Sequence, residues 1–112
     1  MINARIDVYL RDRRSAAAVT DEAIERGRAY LAAGADCVYP IFLADATLIG
    51  RMVEALQAPV NILLRSGVPS IAELHRLGVR RISVGGGLAK RAIETIERDA
   101  RAVLGGDASP FG

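Results

Sequence analysis

Four times along this chain, a short stretch of strand character gives way to a one-sided apolar stretch of helical period. That alternation limits the fold more than any other feature, because strands joined through helices run parallel and are covered by those helices. The first stretch, Met1–Leu10, has period two. Ile2, Ala4, Ile6 and Val8 are apolar, while Asn3, Arg5 and Asp7 between them are polar. Further strands are expected at Cys37–Phe42, where Pro40 ends the ladder, at Pro59–Leu64 and at Arg81–Val84. Between them, Thr20 is expected to cap a helix with Asp21 and Glu22 in its first turn, and Gly34 to stop it. Asp45 opens a second helix, with Leu48, Ile49, Met52, Val53 and Leu56 on one face. Ser70–Glu73 reads as a capping box for a third, which carries Ile71, Leu74 and Leu77 and ends at Gly78. A fourth follows Gly85–Gly87 and is expected to turn Leu88, Ala92, Ile93, Ile96, Ala100 and Val103 inward.

The order βαβαβαβα with four parallel strands defines an α/β chain, and four βα units are half of a (β/α)8 barrel. Residues 1–104 are expected to form that half-barrel, and 105–112, rich in glycine, a flexible tail. If Asn3, Arg5 and Asp7 face the barrel interior, the matching inward positions on the later strands are Tyr39, Asn61 and Ser83. A half-barrel leaves its inner face uncovered and two strand edges unpaired. The chain is therefore expected to form a homo-oligomer or to aggregate.

Composition removes several classes of function. A chain of 112 residues makes one domain at most. A content of 51% hydrophobic and 25% charged residues is that of a globular protein rather than a disordered one. The basic residues are scattered and lack interleaved aromatics, which argues against nucleic-acid binding. No apolar run approaches the roughly 20 residues of a membrane span. The single cysteine, Cys37, permits no internal disulfide, and Met1 is expected to enter a strand directly, with no signal peptide expected. The expected location is the cytoplasm.

Few side chains are candidates for chemistry. Arg5 carries a fixed, planar charge that suits a carboxylate or phosphonate, and the alternative is an ion pair within the strand to Asp7. Gly85 and Gly86 could cradle a phosphate on backbone N–H groups, or could simply form a tight βα turn. Tyr39 could face the barrel mouth or fill the core. Cys37 reads as a small core residue and His75 as surface. No Cys/His spacing fits a metal.

The segments Ile2–Asp7, Ala33–Val38, Pro59–Asn61 and Leu77–Gly86, in that order and spacing, resemble the isocitrate lyase / phosphoenolpyruvate mutase superfamily, and within it the phosphonomutase and 2-methylisocitrate lyase-like branch. The resemblance runs from about Ile2 to Leu104 and corresponds to strands five to eight, the C-terminal half of the family barrel. It implies chemistry on small 2-oxo acids, in which C–C or C–P bonds are cleaved or rearranged with Mg²⁺ holding the oxo acid or its enolate. It also implies that Arg5 binds a carboxylate or phosphonate of the substrate and that Asn61 is a second substrate ligand. Asp7, Tyr39, Ser83, Gly85 and Gly86 would lie around them. This chain departs from the family at Ile6, where threonine is usual, which touches the detail of the substrate. The family's Mg²⁺-binding acids and gating loop belong to the first half of the barrel. No catalytic or metal residue is therefore expected here, and the chain alone is expected to hold no Mg²⁺ and to be inactive. The alternative is a non-catalytic α/β module that oligomerises and at most binds a small anion.

Overall fold

The computed structural model describes residues 1–12 and 14–112. Strand β1 (Asn3–Ile6) pairs in parallel with β2 (Cys37–Pro40), Asn3 opposite Cys37 and Ile6 opposite Pro40. Strand β3 (Asn61–Leu63) pairs in parallel with β4 (Arg81–Ser83). The two pairs meet at one isolated bridge, Val38 to Val60, beside which the Val38 N–H donates to the Pro59 carbonyl at 3.0 Å. The α/β class and the parallel strands agree with the sequence reading. The continuous four-stranded sheet does not form, because the strands are short and a seam separates β2 from β3.

The first strand is shorter than its alternation suggested. Asp7 takes φ −98° and ψ 4°, which ends the extended run, and a one-turn helix α1 (Val8–Arg11) follows. Val8 is still buried, but it reaches the core from that turn rather than from a strand face. The next helix, α2 (Ala16–Ala32), begins earlier than expected. Ser15, not Thr20, caps it by accepting from the Ala18 N–H at 3.3 Å. Thr20 is buried mid-helix, donates to the Ala16 carbonyl at 2.7 Å and accepts from the Tyr9 hydroxyl at 3.2 Å. Asp21 and Glu22 consequently sit in the helix interior and form surface ion pairs, Glu22 with Arg14 at 3.0 Å and with Arg26 at 2.9 Å.

The remaining caps follow the sequence. Asp45 accepts from the Leu48 N–H at 2.9 Å and opens α3 (Ala46–Leu56). Ser70 accepts from the Glu73 N–H at 3.2 Å and opens α4 (Ile71–Arg76). Helices α2 to α4 share the core with one face of the strands. Ile6, Val38, Val60 and Ile62 of that face pack with Ala23 and Ile24 of α2, Ile49 and Met52 of α3, and Leu74 of α4. Ile71 stays exposed, contrary to its expected place on the inward stripe.

Gly78 turns α4 into β4 at φ +87°, and a Cβ there would stand 2.9 Å from Val53 Cγ1. Gly78→Ala combines a left-handed backbone with this clash. It is expected to destabilise the chain by about 1–3 kcal/mol, read as a lower urea midpoint at unchanged slope.

The last helix, α5 (Gly87–Leu104), departs furthest from expectation. It is strongly amphipathic, yet none of its residues is buried, and Leu88, Ile93, Ile96 and Val103 all lie exposed. The helix projects from the core, and the molecule is drawn out to 58 × 30 × 25 Å. Gly106 reverses the chain at φ +88°, and a 3₁₀ turn, Ser109–Phe111, forms beside the end of α5. No helix among the described residues is long and apolar enough to cross a membrane.

Candidate functional site

The strands have two chemically different faces. Val38 points at α2, since a Cβ built on Gly27 would lie 3.5 Å from Val38 Cγ1. Ala4, opposite Val38 in the ladder, shares that face. Alternation then places Asn3, Arg5 and Tyr39 on the side away from the helices, with Arg5 directly opposite Tyr39. On the other pair, Val60 and Ile62 belong to the helix-side core, so Asn61 and Ser83 face the same way as Arg5. Asn3, Arg5, Tyr39, Asn61 and Ser83 thus share the strand face away from the helices. Asp7 differs, because it lies past the end of β1, at the cap of α1.

Arg5 grips Asp7 with a fork. Nε donates to Oδ1 at 2.7 Å and Nη2 donates to Oδ2 at 3.1 Å. These hydrogen bonds, and then the carboxylate charge, hold the guanidinium proton more tightly than usual. The Arg5 side chain is 52% exposed and that of Asp7 26%, so the pair is accessible to solvent and contributes little to stability. Arg5 and Asp7 also line a cleft of about 440 Å³ at the open edge of β1, together with Asp12, Glu22, Arg26 and Tyr30. The other charges in this cleft satisfy one another. Arg14 Nε donates to Asp12 at 2.8 Å, and hydrogen bonding from Arg14 draws the Asp12 carboxyl down to about 2.

Across the seam, Asn61 is only 1% exposed. Its Nδ2 donates to Ser83 Oγ at 3.2 Å, and its Oδ1 is buried with no hydrogen-bond donor among the described residues. Asn3 Oδ1 is in the same condition. A buried acceptor without a donor is costly, and a native chain rarely leaves one so. Gly85 (φ +52°) forms the expected tight turn with Gly86, closed by the Gly87 N–H on the Val84 carbonyl at 2.9 Å. This turn leaves β4 at the same end of the strands as Ser83. Cys37 is buried on the same strand face as Asn3 and Tyr39 rather than in the helix-side core, and burial raises its thiol pKa; His75 is exposed.

Two residues at this end escaped the sequence reading. Arg65, just beyond β3, donates from Nη2 to the Phe42 carbonyl at 3.0 Å and stacks 5.3 Å from the centroid of its ring. Phe42 itself sits at φ +69°. Arg65 opens the turn-rich segment Arg65–Pro69, whose composition indicates a loop but no partner 23 residues earlier.

Mg²⁺ needs several oxygen ligands converging on one point. Among the described residues, no three of His, Cys, Asp and Glu gather in that way, and Asp7 is already engaged by Arg5. The side chains described do not fit a Mg²⁺ site by themselves.

Parallel strands covered by helices, with polar side chains gathered on their other face, define an α/β chain whose candidate site lies at the carboxyl ends of the strands. The chain belongs to the phosphoenolpyruvate phosphomutase family, which it matches over residues 1–104. It is 34% identical over 110 residues to two uncharacterised proteins of Mycobacterium tuberculosis, an alignment that takes in 97% of this chain and 41% of either relative. Among solved structures, it is similar to a Burkholderia cenocepacia protein described as a candidate lyase/mutase. The identity is 39% and the TM-score 0.79, over 91% of this chain and 36% of that one. A candidate phosphonomutase of the same organism matches at 34% identity and a TM-score of 0.83, over 90% of this chain and 41% of that one. The chain therefore spans about two-fifths of the length of the curated relatives it matches.

Proposed function

We propose that this chain supplies the substrate-anion half of a phosphoenolpyruvate mutase / isocitrate lyase-like enzyme, folded as strands five to eight of a (β/α)8 barrel. Its substrate would be a small 2-oxo acid or phosphonate. The observation that carries this reading is the Arg5–Asp7 fork, set on the strand face opposite the helices and at the carboxyl end of β1. An incoming carboxylate or phosphonate would take the place of Asp7 on the guanidinium, exchanging one bidentate oxyanion for another. Asn61 and Ser83 would hold a second polar group of the substrate, and a ligand N–H or O–H, or a water, would satisfy Asn61 Oδ1. Gly85 and Gly86 border that position.

The family's Mg²⁺ stabilises the enolate of an oxo acid, and the ligands for it are not assembled by the residues described here. The chain alone is accordingly expected to bind Mg²⁺ weakly, with no one-to-one calorimetric isotherm in the low micromolar range, and to turn over neither isocitrate-like nor phosphonopyruvate-like acids. Oxalate, a compact mimic of an oxo-acid enolate, should nevertheless shift the Arg5 and Tyr39 resonances in a titration followed by NMR. Tight Mg²⁺ binding by the chain alone would mean that its acids converge differently. Oxalate shifts confined to other residues would remove Arg5 from the site.

A second reading, a non-catalytic module that oligomerises, draws on the uncovered apolar face of α5. The two readings separate on whether a barrel completed with the missing half turns over an oxo acid or phosphonate in an Arg5-dependent way.

A further inference from the structure

The seam between the two strand pairs divides the polar face in two. Arg5 and Tyr39 lie on one side, Asn61 and Ser83 on the other, and among the described residues the backbone ladder across it is reduced to the Val38–Val60 bridge. At the carboxyl end, a side-chain contact crosses the same seam. Strand β2 ends at Pro40, and the chain reverses through Pro40–Leu43, closed by the Leu43 N–H on the Pro40 carbonyl at 3.2 Å. Phe42 occupies the third position of that turn at φ +69°. Such a position normally takes glycine or asparagine, because a bulky side chain crowds its own backbone there. Arg65 engages this residue from the exit of β3. Nη2 donates to the Phe42 carbonyl at 3.0 Å, the guanidinium stacks on the ring, and Nη1 donates to the Ser66 carbonyl at 3.2 Å. Directly after the turn, Leu43 is 1% exposed and anchors the loop in the core.

We infer that Arg65 is a positioning residue whose guanidinium holds Phe42 left-handed, and that this latch keeps the two halves of the polar face in register across the seam. The inference goes beyond the functional reading and stands without it. It requires that Arg65 act through the strain at Phe42, so the effect of removing it must depend on what occupies position 42.

The test is a double-mutant comparison by amide hydrogen exchange on the full chain. Arg65→Gln is expected to speed exchange of the Leu43 amide about tenfold, as the turn opens to relieve Phe42. In a Phe42→Gly background the turn needs no support, and the same substitution should change exchange less than about threefold. The Val38 amide, whose bond to the Pro59 carbonyl is the backbone contact across the seam, should also exchange faster with Phe42 present, and an unchanged Val38 would overturn the register claim; the Leu74 amide on the Ser70 carbonyl, away from the seam, reports global opening and should not change. If Arg65→Gln accelerates Leu74 as well, the same contrast between the two backgrounds is read on Arg65→Lys, which keeps charge and stem but lacks the planar fork and stack. Equal factors in both backgrounds, or no effect on Leu43 with Phe42 present, would overturn the latch.

Discussion

In a completed barrel, Arg5→Lys should lower kcat/KM by roughly 10- to 100-fold although the charge is unchanged. The magnitude is that of one charge-assisted hydrogen bond, about 1.5–3 kcal/mol, with about 1.4 kcal/mol for each factor of ten. Arginine meets a carboxylate or phosphonate with two parallel N–H groups in a plane. Lysine offers one compact ammonium at the end of a flexible stem. The fork already operates in this chain, where Nε and Nη2 of Arg5 take the two oxygens of Asp7. A suitable vehicle is a chimera in which residues 1–104 replace the matching segment of the Burkholderia cenocepacia protein at 39% identity. Because the Arg5 side chain is half exposed and its pair with Asp7 accessible, the substitution should leave the melting temperature within a degree or two. A chimera that tolerates Arg5→Lys at near-parent activity would refute the anion-binding role. Loss of stability with unchanged oxalate affinity in Arg5→Ala would instead assign the pair with Asp7 a purely structural part.

How much of this was legible in the sequence depended on whether a local rule was in charge. Asp45 and Ser70 were readable as caps because an N-cap needs only its own hydroxyl or carboxylate and the next turn. The common face of Arg5, Tyr39, Asn61 and Ser83 was readable because strand alternation is strict over short distances. Thr20 misled because two residues able to cap stand five apart. The choice went to Ser15 because the three alanines after it are strong helix formers, and Thr20 found partners inside the helix instead. The end of β1 was hidden because Val8 is buried either way, and a period-two pattern does not reveal a turn at Asp7 that keeps Val8 inside. Arg65 and Phe42 were invisible because their contact is long-range and depends on a backbone angle that phenylalanine rarely adopts. The error on α5 is of another kind. Its stripe was read correctly as an apolar face, but a face does not specify what covers it.

That uncovered face leads to the expectation that the isolated chain sediments as a dimer or larger species rather than as a compact monomer. Leu88 is 69% exposed, Ile93 57%, Ile96 67% and Leu104 89%, all on one helix. Fully burying a leucine or isoleucine is worth roughly 1.5–3 kcal/mol, so a handful of such residues is enough to hold two copies together at micromolar concentration. The outer edges of β1 and β4 add to the tendency, since neither pairs with another strand among the described residues. Replacing Ile93 and Ile96 together by glutamate should shift the chain to a monomer in sedimentation velocity, with a helical circular dichroism signal close to that of the parent. Neither side chain is buried in the single chain, so its own fold should lose less than about 1 kcal/mol from the double change. A parent chain that is already monomeric and melts cooperatively would show that α5 tolerates its exposure and that no second copy is needed. An assembly that survives both glutamates would move the contact from α5 to the strand edges, where lysines placed on β1 could then be tested.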